Sequence, residues 1–290
     1  MSSFFKSFFK NKSKIKDEKY TDYIIPKIKN FSETLNQKKS ISFLHYGHLG
    51  DIINSLPVIK EISKQKICSL YIVKNKPIPK HAVMKGHPSG SVYLDENIIQ
   101  KLLPLLKEQT FLKKVEIYKN QEIDIDLNFF REMPINFNID SIRWYFHLTG
   151  VYPDLSQNYL EVKSHILFKN YIMIMRSLRR QNEHINYSFL SSFKNIVFLG
   201  LKDEYIELRK EITNLEFYDS KDFLELAMII KNAKFFIGNP SFGFALAEAL
   251  KVPRLLESAP NFPLVYPNGI RAHDFYFQNH FEYLVKKLCA

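Results

Sequence analysis

Cysteine is nearly missing from this chain, with Cys68 and Cys289 the two present. Lying so far apart, they exclude a disulfide framework and a cysteine-built zinc site, and they fit the reduced thiols of a cytoplasmic protein. Long apolar runs are also missing, since no stretch approaches the roughly 18 to 20 uncharged apolar residues needed to cross a bilayer. The start of the chain has no apolar core followed by a small-residue cleavage site, so no export signal is read. No G-x-G-x-x-G run occurs, which argues against a nucleotide-dependent oxidoreductase. The nine histidines show no HExxH-like spacing, and neither a metal site nor a cofactor is expected.

Positive charge is plentiful, at a formal +11, but unevenly placed. Residues 1–40 hold ten lysines against Asp17, Glu18, Asp22 and Glu33. The remaining body is only mildly basic and lacks the signatures of a zinc finger or an RNA-binding sheet, so no nucleic-acid partner is expected. Residues 1–39 are read as a basic N-terminal segment. On a helix, Phe4, Phe5, Phe8 and Phe9 gather on one face beside Lys6 and Lys10. Such a face predicts peripheral contact of residues 1–16 with an anionic membrane, at its inner side. A frayed basic tail, or a helix packed on the protein's own body, would give the same pattern.

From Ser40 onward strands and helices alternate. Ile41–His45 reads as a buried strand, followed by a Gly47-His48-Leu49-Gly50-Asp51 turn and a helix over 52–62. Leu70–Val73, Val115–Tyr118 and Ile123–Leu127 read as further strands. Residues 74–91 are rich in proline and glycine and read as loop. Ile98–Lys107 is helical in pattern apart from Pro104, and Ser141–Thr149 reads as a helix stopped by Gly150. A second run of the same kind has strands at Tyr171–Met175, Ile196–Leu199, Leu215–Tyr218, Phe235–Ile237 and Val252–Leu256. Its helices fall at Tyr205–Ile212, Asp222–Ile230 and Phe242–Leu250. Repeated alternation predicts parallel sheets with right-handed crossovers. The fold class expected is α/β, as two Rossmann-like domains over 40–160 and 161–275, with a terminal helix in 276–290.

In a parallel sheet, ligands sit beyond the carboxyl ends of strands, where the next helix presents unpaired N–H groups. Each half has one such turn with suggestive residues. In the first, Gly47 and Gly50 permit close backbone approach. Asp51 is either a helix cap or a carboxylate placed to take a proton from a hydroxyl. His48 is within reach of an acceptor or phosphate, although a loop histidine is more often idle. In the second turn, Gly238-Asn239-Pro240-Ser241 leads into a small-residue helix. Ser241 suits the cap, and Gly243 keeps the entrance open. The helix end, at Ser241, Phe242 and Gly243, offers positive potential to a diphosphate. Glu248 on that helix is either solvent-facing or a donor contact.

Taken together, the two turns resemble those of the heptosyltransferase-like glycosyltransferases, glycosyltransferase family nine. The family's Gly-Asp turn with a proline shortly after is matched by Gly50-Asp51-Ile52-Ile53-Asn54-Ser55-Leu56-Pro57. Its C-terminal strand, Gly-Asn turn and small-residue helix are matched over Ile237–Leu256, and its preceding helix over Asp222–Lys234. The resemblance covers roughly residues 41–60 and 195–268, and the middle in outline. It implies a GT-B type fold, with two Rossmann-like domains whose parallel sheets face across a cleft. It also implies hexosyl or heptosyl transfer from a nucleotide-diphosphate sugar to a glycan or lipid-linked acceptor, as part of cell-surface glycan biosynthesis. The transfer would be inverting and metal-independent, with Asp51 as base. Arg176, Arg179 and Arg180, after the strand at Tyr171–Met175, stand where the family places cations near the donor phosphates. Gly200 and Glu204 stand where the nucleoside would rest, and Glu248 where other GT-B enzymes hold the donor ribose. The terminal helix is expected to cross back onto the N-terminal half.

Two departures leave the donor sugar open: Pro240 replaces the family's aspartate, and the histidine that opens its helix is missing. A non-catalytic GT-B protein that binds a nucleotide or glycan, or a GT-B sugar-nucleotide epimerase, would satisfy the same motifs.

Overall fold

A computed structural model of the protein describes residues 18–80, 89–135 and 137–289. The amphipathic stretch expected to meet a membrane, residues 1–16, lies outside the described residues. Among those described, no helix is long and apolar enough to cross a membrane.

A π-helical turn at Tyr20–Ile24 runs into α1 (Ile25–Gln37), whose Phe31 and Leu35 fall one turn apart and are buried. The sequence reading left this helix inside the basic N-terminal segment, although Ile28, Phe31 and Leu35 fall on one helical face. The first half then continues with β1 (Ser40–His45), α2 (Leu49–Ser63), β2 (Ile67–Ile72), α3 (Glu96–Lys107), β3 (Leu112–Ile117), β4 (Ile125–Asp126) and α4 (Arg143–Thr149). The Asp95 side chain caps α3 by accepting the Ile98 N–H at 2.8 Å. The helix passes through Pro104 rather than breaking there. Gly150, at φ 71°, ends α4 in the left-handed conformation that glycine adopts without strain.

The second half comprises β5 (Ile172–Met175), β6 (Ile196–Phe198), α5 (Lys202–Arg209), β7 (Glu216–Phe217), α6 (Phe223–Ile230), β8 (Phe235–Gly238), α7 (Phe242–Leu250), β9 (Arg254–Glu257), β10 (Ala272–Phe275) and α8 (Gln278–Cys289). The short β10, rich in polar residues, carries no apolar run and was not expected from the sequence.

All strand pairs are parallel, in a four-stranded sheet ordered β3-β2-β1-β4 and a six-stranded sheet ordered β10-β9-β8-β5-β6-β7. Each order reverses direction once, between β1 and β4 in the first sheet and between β5 and β8 in the second. Crossovers leave on opposite faces at such a point, which opens a crevice beyond the strand ends.

Alternation along the strands divides the second sheet's two faces. Met173 and Phe236 join a core that continues through α7 and α2 into Ile41 and Phe43 of the first sheet. Helices α2 and α7 pack together, as do α3 and α6, so one apolar core spans both halves. Ala245, Ala247 and Ala249 leave α7 narrow enough for this. On the far face, Ile172, Ile174, Phe235 and Ile237 pack with α8 through Phe281, Leu284, Val285 and Leu288. Those four α8 positions form one helical stripe. Because it matches the outer face of the second sheet, the buried stripe of α8 stays on its own half. The expectation that the terminal helix crosses back is therefore corrected.

Candidate active site

The crevices of the two sheets open into one cavity of about 400 Å³. On the first sheet's side, β1 ends at His45, which is fully buried. Its Nδ1 accepts the Gly47 N–H at 3.0 Å, and its Nε2 lies 3.0 Å from the Tyr145 hydroxyl. Burial is the largest influence on His45 and pushes its pKa down to about 3, so the ring is neutral. With Nδ1 accepting, Nε2–H donates to Tyr145, and Tyr145 donates to the Asp51 carbonyl at 2.9 Å. This chain fixes the first turn of α2. Gly47 completes it, because a Cβ there would lie 2.8 Å from both Asp51 Oδ2 and His45 Cε1.

Asp51 is the third residue of α2, and its Oδ2 accepts the His48 N–H at 3.2 Å. Helix capping is thus real, but it does not occupy the carboxylate alone. Arg131, beyond the carboxyl end of β4, donates to the same oxygen at 3.0 Å across the reversal point. Burial raises the Asp51 pKa, but Arg131, both histidines and the His48 N–H outweigh it and leave it below the usual carboxylate value. Asp51 is therefore ionised at neutral pH. Along with His48 and Gly50 it lines the cavity.

On the second sheet's side, the segment after β5 brings Arg179 and Arg180 to the cavity, which Ser241, Phe242 and Gly243 at the start of α7 also line. The Arg180 guanidinium stacks 3.6 Å from the Phe262 ring centroid and donates to the Pro240 carbonyl at 2.9 Å. Burial, then repulsion from Arg179, lowers its pKa to about 10. Burial likewise lowers Arg179, with Glu204 opposing. Two cations destabilised in this way gain from an anion between them. Contrary to expectation, the Ser241 hydroxyl makes no capping bond, and its buried Oγ has no partner among the described residues. The first N–H groups of α7 add to the positive potential there. Gly243 is needed for the close approach of α7 to β5, since a Cβ would come within 2.9 Å of Met175 Cβ.

Beside this basic end, Gly200, Leu201, Glu204, Asp219 and Phe223 form a lateral wall. Glu204 accepts the Leu201 N–H at 3.1 Å. Its pKa is raised chiefly by burial.

Several expected site residues are placed elsewhere. Gly47, Arg176, Gly238 and Asn239 do not line the cavity. Arg176 instead grips buried Glu257 through Nε at 2.7 Å and Nη2 at 3.0 Å, with its guanidinium over the Tyr187 ring. Asn239 bridges both backbone groups of Ser177 and the Arg180 carbonyl, at 2.7 to 3.0 Å, and so holds the arginine segment in place. Glu248 does line the cavity, at the far end of α7 from Ser241, but it is not solvent-facing. It is buried, ion-paired with Arg254 and Lys251, and accepts the Asn268 N–H.

Sequence reasoning missed Arg131 and Asp140. Applying the strand-end rule to β4 as well as β1 would have found Arg131. Asp140 lies in a loop without a motif. It lines the cavity and accepts from Asn268 Nδ2 and the Ile142 N–H, both at 3.4 Å. Burial, with Glu248 adding, raises its pKa to about 6 despite those donors. The folded-state value lies above the unfolded one, so ionising Asp140 costs stability. That cost is absent below about pH 4, grows as pH rises, and is complete above about pH 6. Asp140→Asn should therefore melt higher than wild type at neutral pH, and the gain should vanish near about pH 4, as followed by thermal denaturation across pH. Among the described residues no group of three or more His, Cys, Asp or Glu is placed to hold a metal ion.

Two parallel sheets meeting at a shared cavity define a GT-B-type fold. The chain is similar over 86% of its length to the ADP-heptose lipopolysaccharide heptosyltransferase II of E. coli, with TM-score 0.58, 10% identity and 98% of that chain covered. It is also similar to a family 9 glycosyltransferase of Veillonella parvula, with TM-score 0.54, 12% identity and coverage of 86% and 91%. The E. coli heptosyltransferase WaaC with ADP gives TM-score 0.53, 10% identity and coverage of 86% and 98%. At such identities the likeness is one of fold. No protein-family sequence profile matches the chain, and no curated protein matches it in sequence.

Proposed function

We propose that the protein is a glycosyltransferase that moves a sugar from a nucleotide-diphosphate donor to a glycan or lipid-linked acceptor. The observation that carries this reading is that one cavity is lined both by ionised Asp51, after the first sheet, and by Arg179, Arg180 and the start of α7, after the second. The donor diphosphate would occupy this second, basic seat, with its nucleoside along Gly200, Glu204 and Asp219. Attack by an acceptor hydroxyl from the Asp51 side, opposite the leaving diphosphate, inverts the anomeric carbon. The C–O bond to the diphosphate breaks as the new glycosidic bond forms, and the hydroxyl proton passes to the Asp51 carboxylate. Because Arg131 makes that carboxylate a weak base, proton transfer would come late, when the hydroxyl has become acidic through bonding. Charge on the departing diphosphate would be met by the two arginines and the helix N–H groups, without need of a metal. The lysine-rich start of the chain favours an acceptor at the inner face of a membrane.

The test is a thermal-shift panel with ADP, UDP, GDP and CMP. ADP leads it because the heptosyltransferases of similar fold are described with ADP or ADP-heptose. One nucleotide at 100 times its dissociation constant should add about 2.7 kcal/mol of stability, and much less to Arg180→Ala. Absence of response to all four would remove the donor seat and leave a GT-B protein of another function.

A further inference from the structure

The cavity does not end at Asp51. Along α2 it continues one turn inward to Asn54, and along α7 it runs from Ser241 to Glu248. Seven helical residues put this inner end about 10 Å beyond the phosphate seat, which leaves room for a sugar ring. Asp140, Trp144, Tyr159 and Asn268 close it.

Trp144 and Tyr159 are 7% and 3% exposed. Trp144 Nε1 and the Tyr159 hydroxyl are buried, yet neither has a hydrogen-bond partner among the described residues. A buried donor left without a partner is costly, and most such groups in folded proteins are satisfied. Both rings line the same cavity, beside a carboxylate whose burial already costs stability. Asn54 and Asn268 meanwhile have partners in Ser141 and Asp140 that fix their orientation. Two unsatisfied donors, one acceptor carboxylate and aromatic surface form the complement of a polyhydroxylated ring. Charge narrows the class further. The Glu248 carboxylate is balanced by Arg254 and Lys251, whereas the hydrogen bonds to Asp140 come from a neutral amide and a backbone N–H. Arg143 offsets part of the Asp140 charge, but burial and Glu248 outweigh it, so a sugar acid or phosphorylated sugar would meet net repulsion here.

We infer that this inner end is a subsite for an uncharged sugar ring, held by hydrogen bonds to Asp140, Trp144 and Tyr159. The subsite itself is read from the cavity, while its assignment to donor or acceptor sugar rests on the transferase reading above.

Saturation-transfer NMR on the full chain with D-glucose, D-galactose, D-mannose and D-glucuronate tests it. At least one neutral sugar should bind and glucuronate should not. Tyr159→Phe and Asp140→Asn should each weaken that binding about tenfold, the worth of one good hydrogen bond. Asp140→Asn should do so while the fold gains stability at neutral pH, an outcome that a structural role would not produce. The source follows from a second arm, comparing each nucleoside diphosphate with its hexose conjugate. Loss confined to the conjugate assigns the donor's sugar. Loss confined to free sugar, with the diphosphate bound, assigns the acceptor's. Sugar binding without any nucleotide response would sink the donor seat and leave the subsite standing. Wild type binding no neutral sugar, or both variants binding as wild type does, would overturn the subsite.

Discussion

Arg176→Ala is expected to lose about 3 to 5 kcal/mol of unfolding free energy, the usual cost of breaking a buried ion pair from one side. Arg176 and Glu257 have side chains 6% and 0% exposed, so water cannot replace the missing partner. Glu257 also accepts from the Tyr187 hydroxyl at 2.7 Å and from the Asn182 N–H, and these donors would be left around an uncompensated charge. Because Arg176 follows β5 and Glu257 ends β9, the pair ties the arginine-bearing segment to the sheet. Urea denaturation measures the loss. A double variant, Arg176→Met with Glu257→Leu, should recover part of it, because removing both charges removes their desolvation cost but leaves the Tyr187 hydroxyl and the Asn182 N–H without an acceptor. A loss below about 1 kcal/mol in Arg176→Ala would mean that the pair is solvated.

Asp51→Asn is expected to lower turnover by about 10² to 10⁴, the contribution of a placed proton acceptor. Its effect on stability should be far smaller. Asparagine keeps the size of the side chain and its capping acceptor, and Arg131 is 31% exposed, so its charge is not stranded in the interior. The acid limb of the wild-type rate should lie below the ordinary carboxylate range, because Arg131 and the His48 N–H hold Asp51 ionised. Steady-state kinetics with the sugar conjugate of the stabilising nucleotide would show both effects. A loss of less than about tenfold would exclude Asp51 as the base.

The fold, and which turns line the cavity, were legible in the sequence for identifiable reasons. The buried parallel strand Phe235–Ile237 is a continuous apolar run, and Ile41–Leu44 is interrupted only by Ser42; the turns after them carry Asp51 and Ser241–Gly243. Arg179 and Arg180, which follow a strand end where the resemblance implies cations, both line the cavity. Arg176 was grouped with them, yet its role depends on Glu257, 81 residues away in sequence, which no local pattern connects to it. Likewise the burial of Glu248 is set by Arg254, Lys251 and a distant loop at Asn268. The terminal helix was misplaced because its apolar stripe says that it packs, but not on which sheet face. Asp140 and Trp144 lie four residues apart in a stretch without a motif, and Tyr159 is held by its backbone N–H on the Ala249 carbonyl of α7, a contact that no local pattern announces.

Hydrogen–deuterium exchange of the full chain with and without the stabilising nucleotide tests the central claim most directly. The account predicts slowed exchange in the segments around Ser177–Arg180 and Ser241–Phe244, where the diphosphate would take the first N–H groups of α7. Exchange in α8, on the far face of the second sheet, should not change. Protection confined to other parts of the chain, with those two segments unaltered, would contradict a donor seat at this cavity.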